Sequence, residues 1–137
     1  MSPTLSSANR TYAPDAAAIE RLADAAIARL PERFRAFLDG VVLRVEEEAQ
    51  DKVLDELGLE SPYELTGLYS GRSLREESSW ASGELRPMIH LYRRALLLEW
   101  AETDVALEDL ITHVIVHEVG HHFGLSDEDM HAIEAEA

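Results

Sequence analysis

One short stretch restricts the possible folds of this chain more than any other, HEVGH at residues 117–121. The apolar residues around it recur at helical spacing, which predicts a helix over 104–123 that Asp104 caps. Residues four apart lie on the same face of a helix, so the imidazoles of His117 and His121 can bind one zinc ion. The stretch therefore matches the H-E-x-x-H pattern of a zinc site on a helix.

Further positions complete a metal-site pattern. Glu118 points roughly 100° round the helix from His117, where it can hold a metal-bound water and accept its proton. Gly124 and Asp127 follow His117 by seven and ten residues, the spacing of H-E-x-x-H-x-x-G-x-x-H with aspartate in the last place. A glycine allows the left-handed turn that brings Asp127 back to the metal. The predicted zinc ligands are His117, His121 and Asp127, the predicted catalytic base is Glu118, and the alternatives for the third ligand are His131 and Glu134.

Composition narrows the chemistry of the site and of its partners. The 137 residues contain no cysteine, which excludes thiolate metal sites, disulfides and a cysteine nucleophile. The 12 basic and 27 acidic side chains give a net charge of −15, and such a chain repels nucleic acid and anionic membranes. We expect a single domain over 1–137 with 1–13 as a flexible tail. Because the start lacks a signal-peptide pattern, we also expect a cytoplasmic protein.

The rest of the chain mixes helical and strand patterns. Alternating or apolar stretches predict strands over 41–46, 65–70 and 88–92, and residues 71–87 are predicted to form a long surface loop. A helix is expected from Asp15 to Leu30, and a second, short helix between Pro31 and Gly40. Further helices are expected within DKVLDELGL, over 93–102 and after Ser126. This mixture in a small chain favours an α+β layer structure.

Several stretches resemble a known family. HEVGHHFGLSDEDM is similar to the HExxHHFGxxD core of the small zincin-like metallopeptidases, and VEEEAQDKVLDELG, LTGLYSGRSL and PMIHLYRRAL resemble other parts of that family. The resemblance covers roughly residues 34–131. It implies a zincin-like fold, with a short mixed β-sheet packed against helices and the HExxH motif on a C-terminal active-site helix. It also implies His117, His121 and Asp127 as Zn²⁺ ligands and Glu118 as catalytic base.

Some neighbouring side chains have more than one possible role. His113 and His122 are expected to be partly buried or to support a ligand rather than to bind metal. Gly120 is expected to pack closely against the sheet, because a glycine inside a helix is otherwise unfavourable. The larger metzincins carry a methionine turn beneath the zinc, and here Met130 or another side chain would form that floor. Trp80 is either a substrate contact or an anchor for its loop.

The strand predicted at 88–92 suggests how a substrate would bind. His90 and Tyr92 lie on it, and a sheet edge beside a zincin-like cleft can hold an extended peptide by strand addition. Tyr92 or Tyr69 would then help to stabilise the oxyanion, although ordinary core or edge positions are the simpler interpretation of both tyrosines.

Two functions fit these observations. The first is a zinc-dependent metallopeptidase that hydrolyses peptide bonds through a metal-bound water with Glu118 as general base. Its partners would be peptide or protein substrates, with no nucleic acid and no membrane, and the chain would be a monomer or a weak oligomer. The alternative is a non-catalytic module that zinc stabilises and whose acidic surface binds a partner. Only the first function needs the carboxylate of Glu118.

Overall fold

The computed structural model describes residues 10–71 and 86–137. Most of the predicted tail and of the predicted loop, including Trp80, lies outside these ranges. The described residues form an α+β fold, as predicted, and no described helix combines the length and the apolar character needed to cross a membrane. The elements follow in the order α1 (Ala16–Arg29), α2 (Glu32–Arg35), β1 (Val42–Glu46), α3 (Asp51–Leu57), β2 (Gly67–Ser70), β3 (Met88–Tyr92), α4 (Arg93–Glu102), α5 (Leu107–His122) and α6 (Asp127–Glu136).

The three described strands form one mixed sheet in the order β1-β3-β2. β1 runs parallel to β3, with Val42 opposite Met88, and β2 runs antiparallel to β3. His90 and Tyr92 therefore belong to a central strand whose two backbone edges are already paired. The expectation that this strand offers a binding edge is wrong, because strand addition needs unpaired N–H and C=O groups. Among the described strands β2 is an edge, and it contacts α5.

Helix α5 lies at the centre of the core. It contacts α1, α4, α6 and β2, and nine of its 16 residues are buried. Ile111 and Ile115 have no solvent exposure and share one apolar cluster with Ile19 of α1 and Leu91 of β3. A helix that is apolar on most sides is held by burial. α5 is therefore a firm support for the polar side chains on its remaining face.

The start of α5 differs from the sequence prediction. Ala106, not Asp104, takes the N-cap position, and its extended backbone is not accompanied by a side-chain cap. Glu108 and Asp109 lie in the first turn, where negative charge is favourable beside the exposed N–H groups of a helix start. These two carboxylates provide locally the charge that a capping aspartate would have supplied.

The turn between α5 and α6 has the hydrogen bonds of a Schellman motif. Gly124 adopts a φ of 76°, its N–H donates to the carbonyl of His121 at 3.2 Å, and the next N–H donates to the carbonyl of Gly120 at 2.8 Å. Ser126 then caps α6, since its hydroxyl accepts the N–H three residues later at 3.1 Å. The predicted stop and start are thus confirmed, and they turn α6 back to pack against α5.

Candidate metal centre

His117 and His121 lie on the last two turns of α5. Their ring centroids are 5.7 Å apart and the ring planes are close to perpendicular, at 81°. The side chain of His117 is 17% exposed, whereas His121 is exposed. Helical spacing therefore brings one partly buried and one exposed imidazole together near the C-terminal end of α5.

His117 carries a buried nitrogen without a hydrogen-bond partner. Within the part of the chain that the structure describes, its Nε2 is buried and neither donates nor accepts a hydrogen bond. Burial lowers the pKa of His117 and the neighbouring His113 lowers it further, while Glu134 acts in the opposite direction. The neutral imidazole is the form that binds a metal ion, and a buried unpaired nitrogen destabilises a fold unless something binds it. Nε2 therefore fits the role of a metal ligand.

Glu118 lies where α5 approaches β2. Its side chain is half-buried. Burial raises the pKa of this carboxyl group, whereas the charge of His121 and the backbone N–H of Tyr69 lower it. A carboxylate that is partly withdrawn from water is a better proton acceptor near neutral pH than an exposed one. The position of Glu118 next to both histidines suits a general base.

Helix α6 brings a second carboxylate to this region. Glu134 has Oε1 at 2.7 Å from Nδ1 of His113 and Oε2 at 3.4 Å from Nε2 of His117. One ligand atom from each of the three residues lies within 4.8 Å of the other two. We call these residues, His113, His117 and Glu134, the Glu134 group. His113, which was expected to be partly buried or to support a ligand, is exposed and lies at hydrogen-bonding distance from Glu134.

The predicted zinc ligands His117, His121 and Asp127 are called the HExxH set below. Asp127 is the first residue of α6 and its side chain is exposed. The Glu134 group includes neither Asp127 nor His121. The ring of His131, the other alternative ligand, lies 6.1 Å from that of His117. The structure thus places the carboxylate of Glu134 3.4 Å from Nε2 of His117, and the role of Asp127 stays a prediction.

Aromatic side chains lie beside the site on β2 and at the end of α5. Tyr69 contacts the exposed His122 edge-on, with 4.5 Å between ring centroids, and lies 5.9 Å from Phe123. Burial raises the pKa of Tyr69. Tyr92 is only 3% exposed and belongs to a separate apolar cluster. Tyr92 is therefore a core residue, and Tyr69 is the tyrosine whose backbone lies next to Glu118.

Gly120 allows α6 to approach α5 closely. A Cβ at this position would collide with the side chain of Met130, and Leu125 is the next neighbour. The expectation that Gly120 packs against the sheet is wrong, because the space beside it is filled from α6. Met130 itself has no solvent exposure. It packs against Gly120, one residue before His121, and its role as a methionine floor stays a prediction.

A helix that carries HExxH, packs against a small mixed sheet and holds an unpartnered buried imidazole nitrogen has the architecture of a zincin metal centre. The chain belongs to the zincin-like metallopeptidase family, whose family model matches residues 38–137. This match confirms the resemblance drawn from the sequence. Membership implies zinc binding and points to peptidase activity. Among curated proteins, none matches the chain significantly.

Proposed function

We propose that the protein is a zinc-dependent metallopeptidase that hydrolyses peptide bonds. The observation that carries this proposal is the presence, on adjacent positions of α5, of the unpartnered nitrogen of His117 and the half-buried carboxylate of Glu118. Membership of the zincin-like metallopeptidase family supports the same activity. In this proposal the HExxH set, His117, His121 and Asp127, holds the ion.

Glu118 would move the protons of the reaction. Zinc, when bound, would supply a Lewis acid that polarises the peptide carbonyl and makes a water molecule a better nucleophile near neutral pH. Glu118 would accept a proton from this water as its oxygen attacks the carbonyl carbon. It would then deliver the proton to the amide nitrogen as the C–N bond breaks. Burial supports this role because it raises the pKa of the Glu118 carboxyl group.

Strand β2 is the element that would hold the substrate. It is an edge of the described sheet, contacts α5 and carries Tyr69. An extended peptide that pairs with the outer edge of β2 would be held by main-chain hydrogen bonds close to Glu118. The net charge of −15 disfavours acidic peptides. We therefore expect neutral or basic substrates.

Replacing Glu118 by glutamine tests the catalytic role. Glu118→Gln keeps the size of the side chain but cannot accept the proton, so cleavage of a peptide mixture should fall at least about 100-fold. The zinc content per chain should not change. Mass spectrometry of the products and metal analysis provide the two measurements. Glu108→Gln, an exposed position in the first turn of the same helix, is the matched control and should cleave like the wild type.

The result separates the two functions considered. Equal cleavage by the wild type and Glu118→Gln would contradict the catalytic role. If neither protein cleaves any peptide while zinc stabilises both, the non-catalytic, zinc-stabilised module with an acidic binding surface is the better description.

The third ligand of the HExxH set can be identified in the same assay. We propose Asp127, because its offset from His117 matches the long zincin pattern and the Schellman turn directs the chain back towards α5. Asp127→Asn should therefore lower peptide cleavage at least about 100-fold. Glu134→Gln and His131→Asn should retain cleavage. Loss of cleavage in Glu134→Gln but not in Asp127→Asn would assign the third position to Glu134 instead.

A further inference from the structure

The Glu134 group has the donor chemistry of a zinc site in its own right. Two imidazoles and one carboxylate are common zinc ligands, and at normal zinc–ligand distances neighbouring ligand atoms are about 3.3 Å apart. The 3.4 Å separation of His117 Nε2 and Glu134 Oε2 already has this value. The 2.7 Å contact between His113 Nδ1 and Glu134 Oε1 needs to open by only about half an ångström.

Two further observations support a ligand at this place. The Nε2 of His117 is buried without a hydrogen-bond partner among the described residues, so binding an ion would satisfy it. A cavity of about 640 Å³ is lined by His113 and Glu134 together with Arg29, Val105 and Leu110. The cavity thus borders two of the three residues of the Glu134 group, and it has room for the water that a three-ligand zinc site retains.

We propose that His113, His117 and Glu134 form a second zinc site that competes with the HExxH set for His117. A neutral imidazole has one nitrogen lone pair available, so His117 binds one ion at a time. Each chain would hold a single zinc ion in one of two positions. The existence of the second site does not depend on the proposed function; the competition does, since it requires the HExxH set to bind zinc through His117.

The two positions differ in their access to Glu118. An ion bound by the Glu134 group would lie beside His113, one turn of α5 before His117, whereas Glu118 lies towards His121 and Tyr69. An ion in the second position would therefore not take part in peptide cleavage. At saturation the ion divides between the positions in the ratio of their affinities, and excess zinc does not change that ratio. Substitutions at His113 or Glu134 move the ion to the HExxH set.

Cobalt(II) binding to a variant without the HExxH set tests the second site. In His121→Ala/Asp127→Ala the Glu134 group is intact, so we expect one Co²⁺ per chain in equilibrium dialysis, with a visible absorption spectrum. Adding His113→Ala or Glu134→Gln should weaken binding at least about tenfold. Adding His122→Ala, an exposed histidine of the same helix outside the group, is the matched control and should leave the affinity unchanged.

Several results would overturn the proposal. One is that neither His113→Ala nor Glu134→Gln weakens Co²⁺ binding in the double variant; another is that the double variant binds no more tightly than one that also lacks His117. Circular dichroism identifies any variant that does not fold, and Glu134→Gln, which keeps the side-chain size, then decides alone. If the wild type binds two Co²⁺ ions at once, the proposed competition for His117 is wrong. Equal cleavage by Glu118→Gln and the wild type would contradict the proposed function but leave the Co²⁺ result intact.

Discussion

At the scale of single residues, Tyr92 shows how strongly burial changes an ionisable group outside the site. It is 3% exposed, and burial raises the pKa of Tyr92 to about 12, with a smaller contribution from the charge of Glu46. The carboxylate of Glu46 also lies 2.6 Å from Nδ1 of His90, whose ring stacks parallel to that of Tyr92. The phenol therefore stays protonated in the folded chain at pH values where the unfolded chain ionises.

This pKa makes stability depend on pH in the alkaline range. The folded pKa of Tyr92 is raised above the ordinary value of 10.0, so its contribution is complete below pH 10 and is lost as the pH rises to about 12. The free energy of unfolding should fall by about 2 to 3 kcal/mol across that window because of this group. Urea unfolding at several pH values measures the fall. Tyr92→Phe should reduce this fall, whereas Tyr12→Phe, at a 69% exposed position, should not. If the free energy of unfolding falls equally with pH in both variants, groups other than Tyr92 cause the fall.

At the scale of elements, the junction of α5 and α6 decides where the proposed third ligand lies. Gly124 and Gly58 each end a helix with a positive φ, 76° and 70°, and a Cβ at either position would meet no atom within 4 Å. Alanine at these positions would therefore be unfavourable through backbone conformation alone. Only Gly124 stands between the histidines of α5 and Asp127.

The pair of glycines provides a matched test of the turn. Gly124→Ala and Gly58→Ala should each lower the free energy of unfolding by about 1–2 kcal/mol, the cost of a left-handed conformation for alanine. Gly124→Ala should in addition reduce peptide cleavage, because it disturbs the turn that leads to Asp127, whereas Gly58→Ala should cleave like the wild type. Chemical denaturation and the peptide assay measure the two effects. Similar cleavage by both variants would mean that the turn does not position a catalytic group.

At the scale of the whole molecule, metal binding and stability are linked. The chain carries a net charge of −15 and no cysteine, so a dication bound by histidine and carboxylate reduces the repulsion between its acidic groups. The ligands proposed for either zinc position come from both α5 and α6, so an ion joins two helices that an unfolded chain holds apart. Binding to the folded state alone raises stability by mass action.

Zinc should therefore raise the melting temperature. At a free zinc concentration about 100 times the dissociation constant, the gain is about 2.7 kcal/mol, which corresponds to roughly 10 °C for a chain of this size. Differential scanning calorimetry with zinc and with a chelator measures the shift. His117→Ala/His121→Ala should show no shift, because both proposed positions need His117. A shift as large as that of the wild type would place the ion elsewhere on the acidic surface.

Local patterns in the sequence predicted most elements of the fold. The apolar stretch at 88–92 became β3 with those bounds, and the helical stretch at 93–102 became α4. Gly124 and Ser126 end and begin helices as predicted. These features depend on neighbouring residues only, so a period or a capping residue is enough to locate them. The order of the strands depends on contacts between distant parts of the chain, and β3 was for that reason assigned a binding edge that it does not have.

The sequence likewise predicted the part of the site that lies within α5, but not the contacts that α6 makes with it. Helical spacing alone brings His117 and His121 to one end of α5, and it also indicates that His113, four residues earlier, shares their face. No local pattern pairs His113 with Glu134, because that contact depends on how α6 packs back onto α5. Gly120 was predicted to be a close-packing position. Its neighbour, however, is Met130 rather than the sheet, and that contact also depends on how α6 packs onto α5.

The parallel pairing of β1 with β3 has a consequence for the order of folding. Glu46 and His90, which join these strands, are 44 positions apart, whereas His113 and Glu134 are 21 apart. Closing the longer loop has the larger entropic cost, and pairings of high sequence separation form slowly. We therefore expect the helical hairpin of α5 and α6 to assemble before β1 pairs with β3. Its histidines and Glu134 would then come together before the sheet is complete. A chain that refolds from denaturant would on this account become able to bind an ion before its sheet is complete.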